Sequence, residues 1–322
     1  MELSVVVAGR PGRPAGEDLY TGALADRLGY RELWIGDGFV WDAFTLASAI
    51  GLATSRIPLT VGPIPVAVRD PATIARAAAS VAAIVRRPVG VALGTSSARV
   101  VERMHGRSRR RAATALAESA RAVRTLLGGE PADADGEVVS AHYRLRLSPP
   151  DAPPGGGLTV AAFGDRAIAV AAEQADRMVL DLVSPELAGE FRAKLDAAAR
   201  LAGRPAPRLA AWLPAAVDPD PDSYAQVMYG LVGYLEVAGY GEMFTAAGFG
   251  KAVELAAAGA DVKELLTALP LDAARTVGLV GDAEAVRARI AEYAAAGLDE
   301  IALVPATAGD PGGERTLTAL AS

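Results

Sequence analysis

The chain has 322 residues, of which 51% are hydrophobic and 22% charged, so it is long enough to bury a sizeable core. Its net charge of −6 argues against a general nucleic-acid or anionic-membrane surface, because both need a basic footprint. The absence of cysteine excludes disulfides, thiolate nucleophiles and cysteine zinc sites. The two histidines, His105 and His142, give little support to a histidine metal centre or a Ser-His-Asp triad.

The N-terminus reads as a strand from its third residue, without a basic region or a cleavage site. No apolar stretch reaches ~20 residues without a charge or a helix breaker. We therefore expect a soluble cytoplasmic protein with no membrane partner, no nucleic-acid partner and no resident metal. The single basic run, Arg107–Arg111, is interpreted as a solvated helix face.

Strand-like and helix-like segments alternate along the first 127 residues. The predicted strands are Leu3–Ala8, Glu32–Ile35, Leu59–Val61 and Val89–Leu93. The predicted helices are Glu17–Leu28, Asp42–Thr54, one that opens at Asp70-Pro71, and Arg109–Leu127. Gly29 is a suitable C-cap, Asp42 and Asp70 are suitable N-caps, and Pro71 suits the first helical position.

The alternation breaks in the middle of the chain. Tyr143–Leu147 alternates with period two, which predicts a hairpin excursion over about 136–148. The Pro/Gly-rich segment Pro149–Gly157 is predicted to be a loop.

The second half restores the pattern. The predicted strands are Leu158–Ala162, Met178–Leu182, Leu209–Val217 and Glu300–Val304, and the predicted helices are Ala167–Gln174, Glu186–Ala202 and Ala283–Ala296. Residues 219–270 read as a helical insertion. Eight strands with helical crossovers predict an α/β fold, a (β/α)8 TIM barrel in one domain over 1–322. The alternative, an open doubly wound sheet, lacks a G-x-G-x-x-G fingerprint and a P-loop.

The turn after the fifth predicted strand is a candidate anion site. Leu158–Ala162 runs into Phe163-Gly164-Asp165, and a helix follows. A helix N-terminus presents unpaired N–H groups and the positive end of the helix dipole, and both favour a phosphate.

Five segments taken in order resemble the bacterial luciferase-like monooxygenase superfamily, specifically its coenzyme F420-dependent oxidoreductase branch. They are Leu28–Asp37; Asp70–Ala77; Leu93–Ser97 with Val101–Gly106; Val160–Gly164 with Ala175–Arg177; and Leu279–Asp282 with Ala295–Asp299. The resemblance covers nearly the whole chain, and its specificity lies in the ordered set.

The resemblance implies a TIM barrel, usually a homodimer, with its cofactor at the carboxyl ends of the strands. It implies that the phosphate of the cofactor sits at Phe163–Asp165, and that a bulge or a non-prolyl cis peptide around Val61–Pro63 supports the ring. The loop after strand four would also contact the cofactor. The cofactor-binding residues that follow are Val61, Gly62, Pro63, Gly94, Thr95, Ser96, Ser97, Ala162, Phe163, Gly164, Asp165 and Arg166. Thr95–Ser97 could instead cap the next helix, and Arg166 could lie on a helix surface.

Asp37 is the candidate catalytic residue, since it ends strand two where barrel active sites gather polar groups; alternatively it only forms a turn. The candidate substrate-site residues are Gly38, Phe39, Trp41 and Asp181. Phe39 and Trp41 could instead pack the barrel top, and Asp181 could be a turn residue. In related dehydrogenases a histidine follows the aspartate, whereas this chain has Gly38. Ser96 and Ser97 stand where those relatives have a glutamate, so any acid–base step differs.

The predicted function is an F420-dependent oxidoreductase that transfers a hydride between the deazaflavin and a small organic substrate. One alternative is an FMN-dependent monooxygenase of the same fold, and another is a non-catalytic cofactor-binding barrel. A Schiff-base lyase or aldolase is remote, because none of Lys194, Lys251 and Lys263 ends a predicted strand.

Overall fold

A closed barrel of eight parallel strands forms the centre of the protein. The computed structural model describes residues 1–147, 157–237 and 239–321. The barrel strands, in spatial order, are β1 (Glu2–Val7), β2 (Leu33–Ile35), β3 (Leu59–Pro65), β4 (Val89–Gly94), β7 (Leu158–Ala161), β8 (Arg177–Asp181), β9 (Arg208–Val217) and β11 (Glu300–Pro305). Pairing of β11 with both β1 and β9 closes the ring. The predicted (β/α)8 barrel is confirmed.

Helices follow most barrel strands and pack on the outer face. They are α1 (Ala15–Leu28), α2 (Ala43–Ala53), α3 (Pro71–Val85), α4 (Ala112–Leu127), α5 (Asp165–Gln174), α6 (Pro185–Leu201), α7 (Pro221–Val232), α8 (Tyr240–Phe244), α9 (Gly250–Ala257), α10 (Val262–Ala268), α11 (Ala273–Thr276), α12 (Ala283–Ala295) and α13 (Glu314–Leu320). Helices α7 to α10 fall within the 219–270 segment.

Side-chain caps fix where several helices start. The Asp42 and Asp70 carboxylates accept the backbone N–H groups of Thr45 and Thr73, at 2.9 Å in each case. Gly29 ends α1 in the left-handed conformation, with φ of 79°. The three predicted caps are therefore confirmed.

The barrel has two apolar zones because strand side chains alternate between its faces. The outward side chains form the main core beneath the helices. The inward side chains fill the lumen with Val6, Trp34, Ala92, Val179, Ala210 and Ala302, against which Ala161, Trp212 and Val304 pack. The rings of Trp34 and Trp212 meet edge to face, with 5.6 Å between centroids.

The excursion in the middle of the chain differs from its prediction. The antiparallel hairpin pairs β5 (Ala132–Ala134) with β6 (Ala141–Tyr143), so residues 144–147 are not strand despite their alternation. The Glu118 carboxylate of α4 accepts the N–H groups of residues 137–139 and so fixes the connecting loop. Of the predicted loop Pro149–Gly157, all but Gly157 lies outside the described residues.

Three further differences concern the start of one helix and two short elements that were not predicted. Helix α4 begins at Ala112 rather than Arg109, because Arg111 is left-handed with φ of 57°. The short strand β10 (Leu279–Gly281) extends the sheet beside the end of β9, and α13 follows the last barrel strand. Both had been missed, since three and seven residues are too few to show a clear period.

Candidate active site

The mouth of the barrel is the concave surface at the carboxyl ends of the strands. Strand residues are mostly buried along their length, whereas the end positions Ala8, Asp37, Pro63, Thr95, Ala161 and Asp181 are partly exposed. Six strands thus present groups that a bound molecule could reach. Most of the predicted site residues lie at this end, where TIM-barrel enzymes have their active sites.

A bulge in β3 forms one part of the floor of the mouth. The pairing of β3 with β4 shifts between Val61 and Ile64, which confirms the predicted bulge. Gly62 has φ of 123°, and a Cβ there would lie 2.3 Å from the carbonyl oxygen of Ala92, so only glycine fits. The cis bond in the bulge is Gly62-Pro63; it is prolyl, so the alternative of a non-prolyl cis peptide is wrong.

The residues beside the bulge have small side chains. A Cβ added at Gly94 would lie 3.3 Å from Cβ of Pro63 and 3.6 Å from Cβ of Ala161. Val61 itself is fully buried in the outer core and cannot be reached from the mouth. The predicted contact of the Val61 side chain with a cofactor is therefore at odds with its burial.

Arg109 holds the loop after β4 in place. It belongs to the basic run Arg107–Arg111, which was interpreted as a solvated helix face. The Arg109 guanidinium donates to the Ser96 carbonyl at 2.8 Å and to Oγ1 of Thr95 at 3.3 Å. Ser96 has φ of 54°, which turns the chain sharply here. The Ser97 hydroxyl accepts the N–H of Val100 at 3.3 Å and so caps the following turn, which fits the alternative reading. Thr95 and Ser96 remain at the mouth.

The N-terminus of α5 opens beside the mouth. Gly164 precedes the helix and supplies no side-chain cap, and the N–H groups of Asp165 and Arg166 have no acceptor among the described residues. Among the described residues no atom lies within 4 Å of a Cβ added at Gly164, so the space beside the start of the helix is open. Gly164, Asp165 and Arg166 are exposed, whereas Ala162 is buried beneath them.

Asp37 forms an ion pair with Arg69, which was not among the predicted site residues. Arg69, just beyond β3, approaches the Asp37 carboxylate at 3.3 Å and the Asp42 carboxylate at 2.8 Å. Burial raises the pKa of Asp37, and the Arg69 charge opposes that rise. Asp37 is only 12% exposed in its side chain, so it is a desolvated carboxylate at the mouth with one cationic partner.

The loop after Asp37 forms the rim. Gly38 and Phe39 are exposed, Phe39 to 66%. Trp41 packs against the end of β1, since a Cβ at Gly9 would lie 2.2 Å from its ring. The Trp41 side chain is also 37% exposed, so a role in the wall of a substrate pocket stays a prediction for both Trp41 and Phe39.

Asp181, at the end of β8, is joined to the late helical segment. The Tyr240 hydroxyl donates to Oδ2 of Asp181 at 3.0 Å. The Tyr240 ring lies 4.8 Å from that of Phe163 and 4.9 Å from that of Tyr234, between centroids. The closeness of Tyr240 to Asp181 could not be found from spacing, because 59 residues separate Tyr240 from its partner.

The described ranges contain neither a candidate metal site nor a helix that could span a membrane. No three His, Cys, Asp or Glu side chains in them are arranged to ligate a metal ion. None of their helices has the length and apolar character that crossing a bilayer requires.

Comparison with known proteins gives three kinds of result. The family model described as luciferase-like monooxygenase matches residues 3–300. No curated protein sequence matches the chain. Solved structures with low sequence identity match over the whole chain, and this similarity supports the barrel fold.

Three of these structures represent the range. An F420-dependent secondary alcohol dehydrogenase, in complex with an F420-acetone adduct, has a TM-score of 0.80 and 18% identity, covering 100% of this chain and 99% of its own. A coenzyme F420-dependent tetrahydromethanopterin reductase from Methanopyrus kandleri has a TM-score of 0.78 and 17% identity, covering 100% and 98%. The oxygenating constituent of 3,6-diketocamphane monooxygenase from Pseudomonas putida, in complex with FMN, has a TM-score of 0.70 and 18% identity, covering 100% and 97%.

Proposed function

The chain belongs to the luciferase-like monooxygenase family and is an F420- or flavin-dependent oxidoreductase, and we propose that its cofactor is F420. In this proposal it transfers a hydride between the deazaflavin and a small organic substrate at the mouth of the barrel. The observation that carries the proposal is the open, uncapped N-terminus of α5 at the same end of the barrel as the small residues Pro63, Gly94 and Ala161.

The residues at the mouth suit a phosphorylated, planar cofactor. The free N–H groups of Asp165 and Arg166 would hold the phosphate, because amides at a helix N-terminus favour an anion. Pro63, Gly94 and Ala161 would underlie the ring. The indole N–H of Trp212, just below in the lumen, is buried and has no hydrogen-bond partner in the described residues, so an acceptor atom of the ring would suit it.

The preference for F420 over FMN rests on similarity. The two F420-dependent structures named above have TM-scores of 0.80 and 0.78, against 0.70 for the FMN complex. The monooxygenase remains the second candidate, because FMN also carries a phosphate and a planar ring. A bound deazaflavin would supply hydride chemistry, and the protein would bind, orient and exclude water.

Cofactor fluorescence separates the candidates. Purified protein is titrated with F420 and, separately, with FMN, while quenching is followed. We expect saturable F420 quenching and oxidation or reduction of bound F420 by a member of an imine, enone and alcohol panel. Saturation by FMN alone would favour the monooxygenase, and F420 binding without turnover would favour a non-catalytic barrel.

We also propose that the enzyme works as a homodimer in the cytoplasm, which is what the family resemblance suggests. Light scattering coupled to size exclusion would give the mass of the particle, to be compared with that of one chain and of two. Fractionation of cells of the source organism would test the location.

A further inference from the structure

Asp181 stands at the mouth and points into it. It is the last residue of β8, and Val179, two residues earlier, lies in the lumen cluster. Because side chains alternate along a strand, Asp181 lies on the same inner side as Val179. The sheet register sets it beside Trp212 of β9, which also packs in the lumen. Its side chain is partly exposed, so a molecule on the floor could reach it.

The partners of Asp181 are neutral. The Tyr240 hydroxyl donates to it, and Tyr240 in turn stacks near Phe163, the residue before Gly164. Within the described ranges no lysine, arginine or histidine forms a salt bridge with this carboxyl, and Tyr240, Tyr234 and the Leu182 N–H are the polar groups that act on it. Asp181 thus differs from Asp37, which Arg69 holds at 3.3 Å.

The backbone turns abruptly just after the carboxyl. Leu182 has φ of 57°, a left-handed conformation that is unfavourable for a branched side chain. Its N–H donates to the carbonyl of Trp212 at 3.1 Å, which holds the turn in place. Strained conformations of this kind gather at functional sites, where the surrounding structure enforces them.

The environment leaves Asp181 able to exchange a proton near neutrality. Burial raises the pKa of Asp181 to about 7, although the hydrogen bonds from Tyr240, Tyr234 and the Leu182 N–H act in the opposite direction. A general acid or base works best when its pKa lies near the working pH. By contrast, Gly38, Ser96 and Ser97, which stand where related dehydrogenases have a histidine and a glutamate, hold no proton that titrates in this range.

We propose that Asp181 is the acid–base residue of this enzyme and that its substrate is a carbonyl or imine compound, or the alcohol or amine formed from it. The proposal rests on the proposed function, because the reduced cofactor is the hydride source. In reduction, the substrate carbon gains the hydride, and the electron pair of its double bond moves to the oxygen or nitrogen. That atom takes the proton of the Asp181 carboxyl. The carboxylate left behind accepts the Tyr240 hydrogen bond and regains a proton from water.

Two variants distinguish this role from a purely structural one, in which Asp181 only anchors α8 through Tyr240. Asp181→Asn keeps an oxygen that accepts the Tyr240 hydroxyl but cannot donate an acidic proton. Tyr240→Phe removes a hydrogen bond that lowers the pKa of Asp181, so the pKa should rise further. If Asp181 were only a structural anchor, Asp181→Asn would leave the rate of reduction unchanged. If Asp181 is the acid–base residue, the same substitution would lower that rate.

Infrared spectroscopy reads the carboxyl directly and needs no substrate. The difference between wild type and Asp181→Asn, with F420 bound, is recorded between about pH 5 and pH 9. We expect a protonated-carboxyl band that disappears with a midpoint near neutrality, and at higher pH in Tyr240→Phe. A carboxyl that is ionised throughout this range would overturn the proposal.

Kinetics complete the test. With saturating F420 and a panel of ketones and imines, we expect wild-type reduction to fall about tenfold from pH 6 to pH 8, following the protonated fraction. Asp181→Asn should be ~100-fold slower or more with unchanged F420 affinity. An unchanged rate in that variant would overturn the proposal alone, and so would turnover of enones without reduction of any ketone or imine. Failure to bind F420 would instead reject the proposed function, and the infrared titration of the cofactor-free protein would still report on Asp181.

Discussion

The guanidinium of Arg177 lies 2.7 Å from the carboxylate of Glu300 inside the amino end of the barrel. It also approaches the Glu32 carboxylate at 2.5 Å and lies 4.0 Å from the centre of the Trp34 ring. Burial lowers the pKa of Arg177, but Glu32 and Glu300 outweigh burial and raise it. One buried cation thus joins three barrel strands at the end opposite the active site.

Removal of that cation should destabilise the fold. Arg177→Met leaves the carboxylate of Glu300, which is 0% exposed, without its main partner. We expect a loss of about 3–5 kcal/mol in the free energy of unfolding, because an unpaired buried charge is costly. Arg124→Met removes a surface pair with Asp176 and a hydrogen bond to the Gln174 carbonyl, and should cost only about 1–2 kcal/mol. Denaturant unfolding of both variants makes the comparison, and equal losses would contradict it.

The sequence predicts the barrel well and the Arg177 network not at all. Strands such as Val89–Gly94 are buried on both faces, so a continuous apolar run identifies them. Arg177, Glu32 and Glu300 each stand at or beside the start of a strand, which is a visible signal. Their pairing nevertheless requires the barrel to close, since up to 268 positions separate them (Glu32 and Glu300). Local sequence patterns do not show which residues barrel closure brings together.

Gly62 should be the least replaceable residue of the floor. In Gly62→Ala the added Cβ would meet the Ala92 carbonyl at 2.3 Å, and φ of 123° is unfavourable for alanine. We expect a loss of about 2–5 kcal/mol from the combination of clash and strain. Gly94→Ala is the matched control: in the described residues its Cβ would meet Cβ of Pro63 at 3.3 Å, a tight contact without the strain of a positive φ, so stability should fall much less than in Gly62→Ala while cofactor affinity falls. Thermal unfolding and F420 titration separate the two, and equal stability in both variants would reject the argument.

The site was predicted in part. The bulge at Gly62 and the open helix start at Gly164 are local features, so residue types at fixed spacing indicate them. Arg69, Arg109 and Tyr240 were missed because their partners lie 32, 13 and 59 positions away in the sequence. These long side chains contact residues on other parts of the barrel mouth. The periodicity of the sequence does not identify those contact partners.

The helix start at Gly164 should govern phosphate affinity specifically. Gly164→Val places a branched side chain in the open space beside the start of the helix without a clash, so the fold should survive. We expect F420 affinity to fall about tenfold or more, which corresponds to about 1.4 kcal/mol. Asp165→Asn removes an 88% exposed carboxylate beside the proposed phosphate and should strengthen binding.

The same chromophore without its phosphate is the internal control for Gly164. Its affinity should be nearly equal in wild type, Gly164→Val and Asp165→Asn, because the variants change only the phosphate environment. A parallel loss for both forms of the chromophore would move the phosphate away from α5.

A double-mutant cycle with Asp37 and Arg69 tests whether Asp37 acts on the cofactor or substrate or only anchors its loop. If Asp37 acts on cofactor or substrate, Asp37→Asn should lower turnover in wild type and again in an Arg69→Met background. Arg69→Met alone should raise the pKa of Asp37, because Arg69 lowers that pKa in the intact protein. If the carboxylate form is active, the acidic limb of the pH–rate profile then moves to higher pH. Should Asp37 merely anchor its loop, the double variant would be no slower than Arg69→Met, and the pH profile would stay in place.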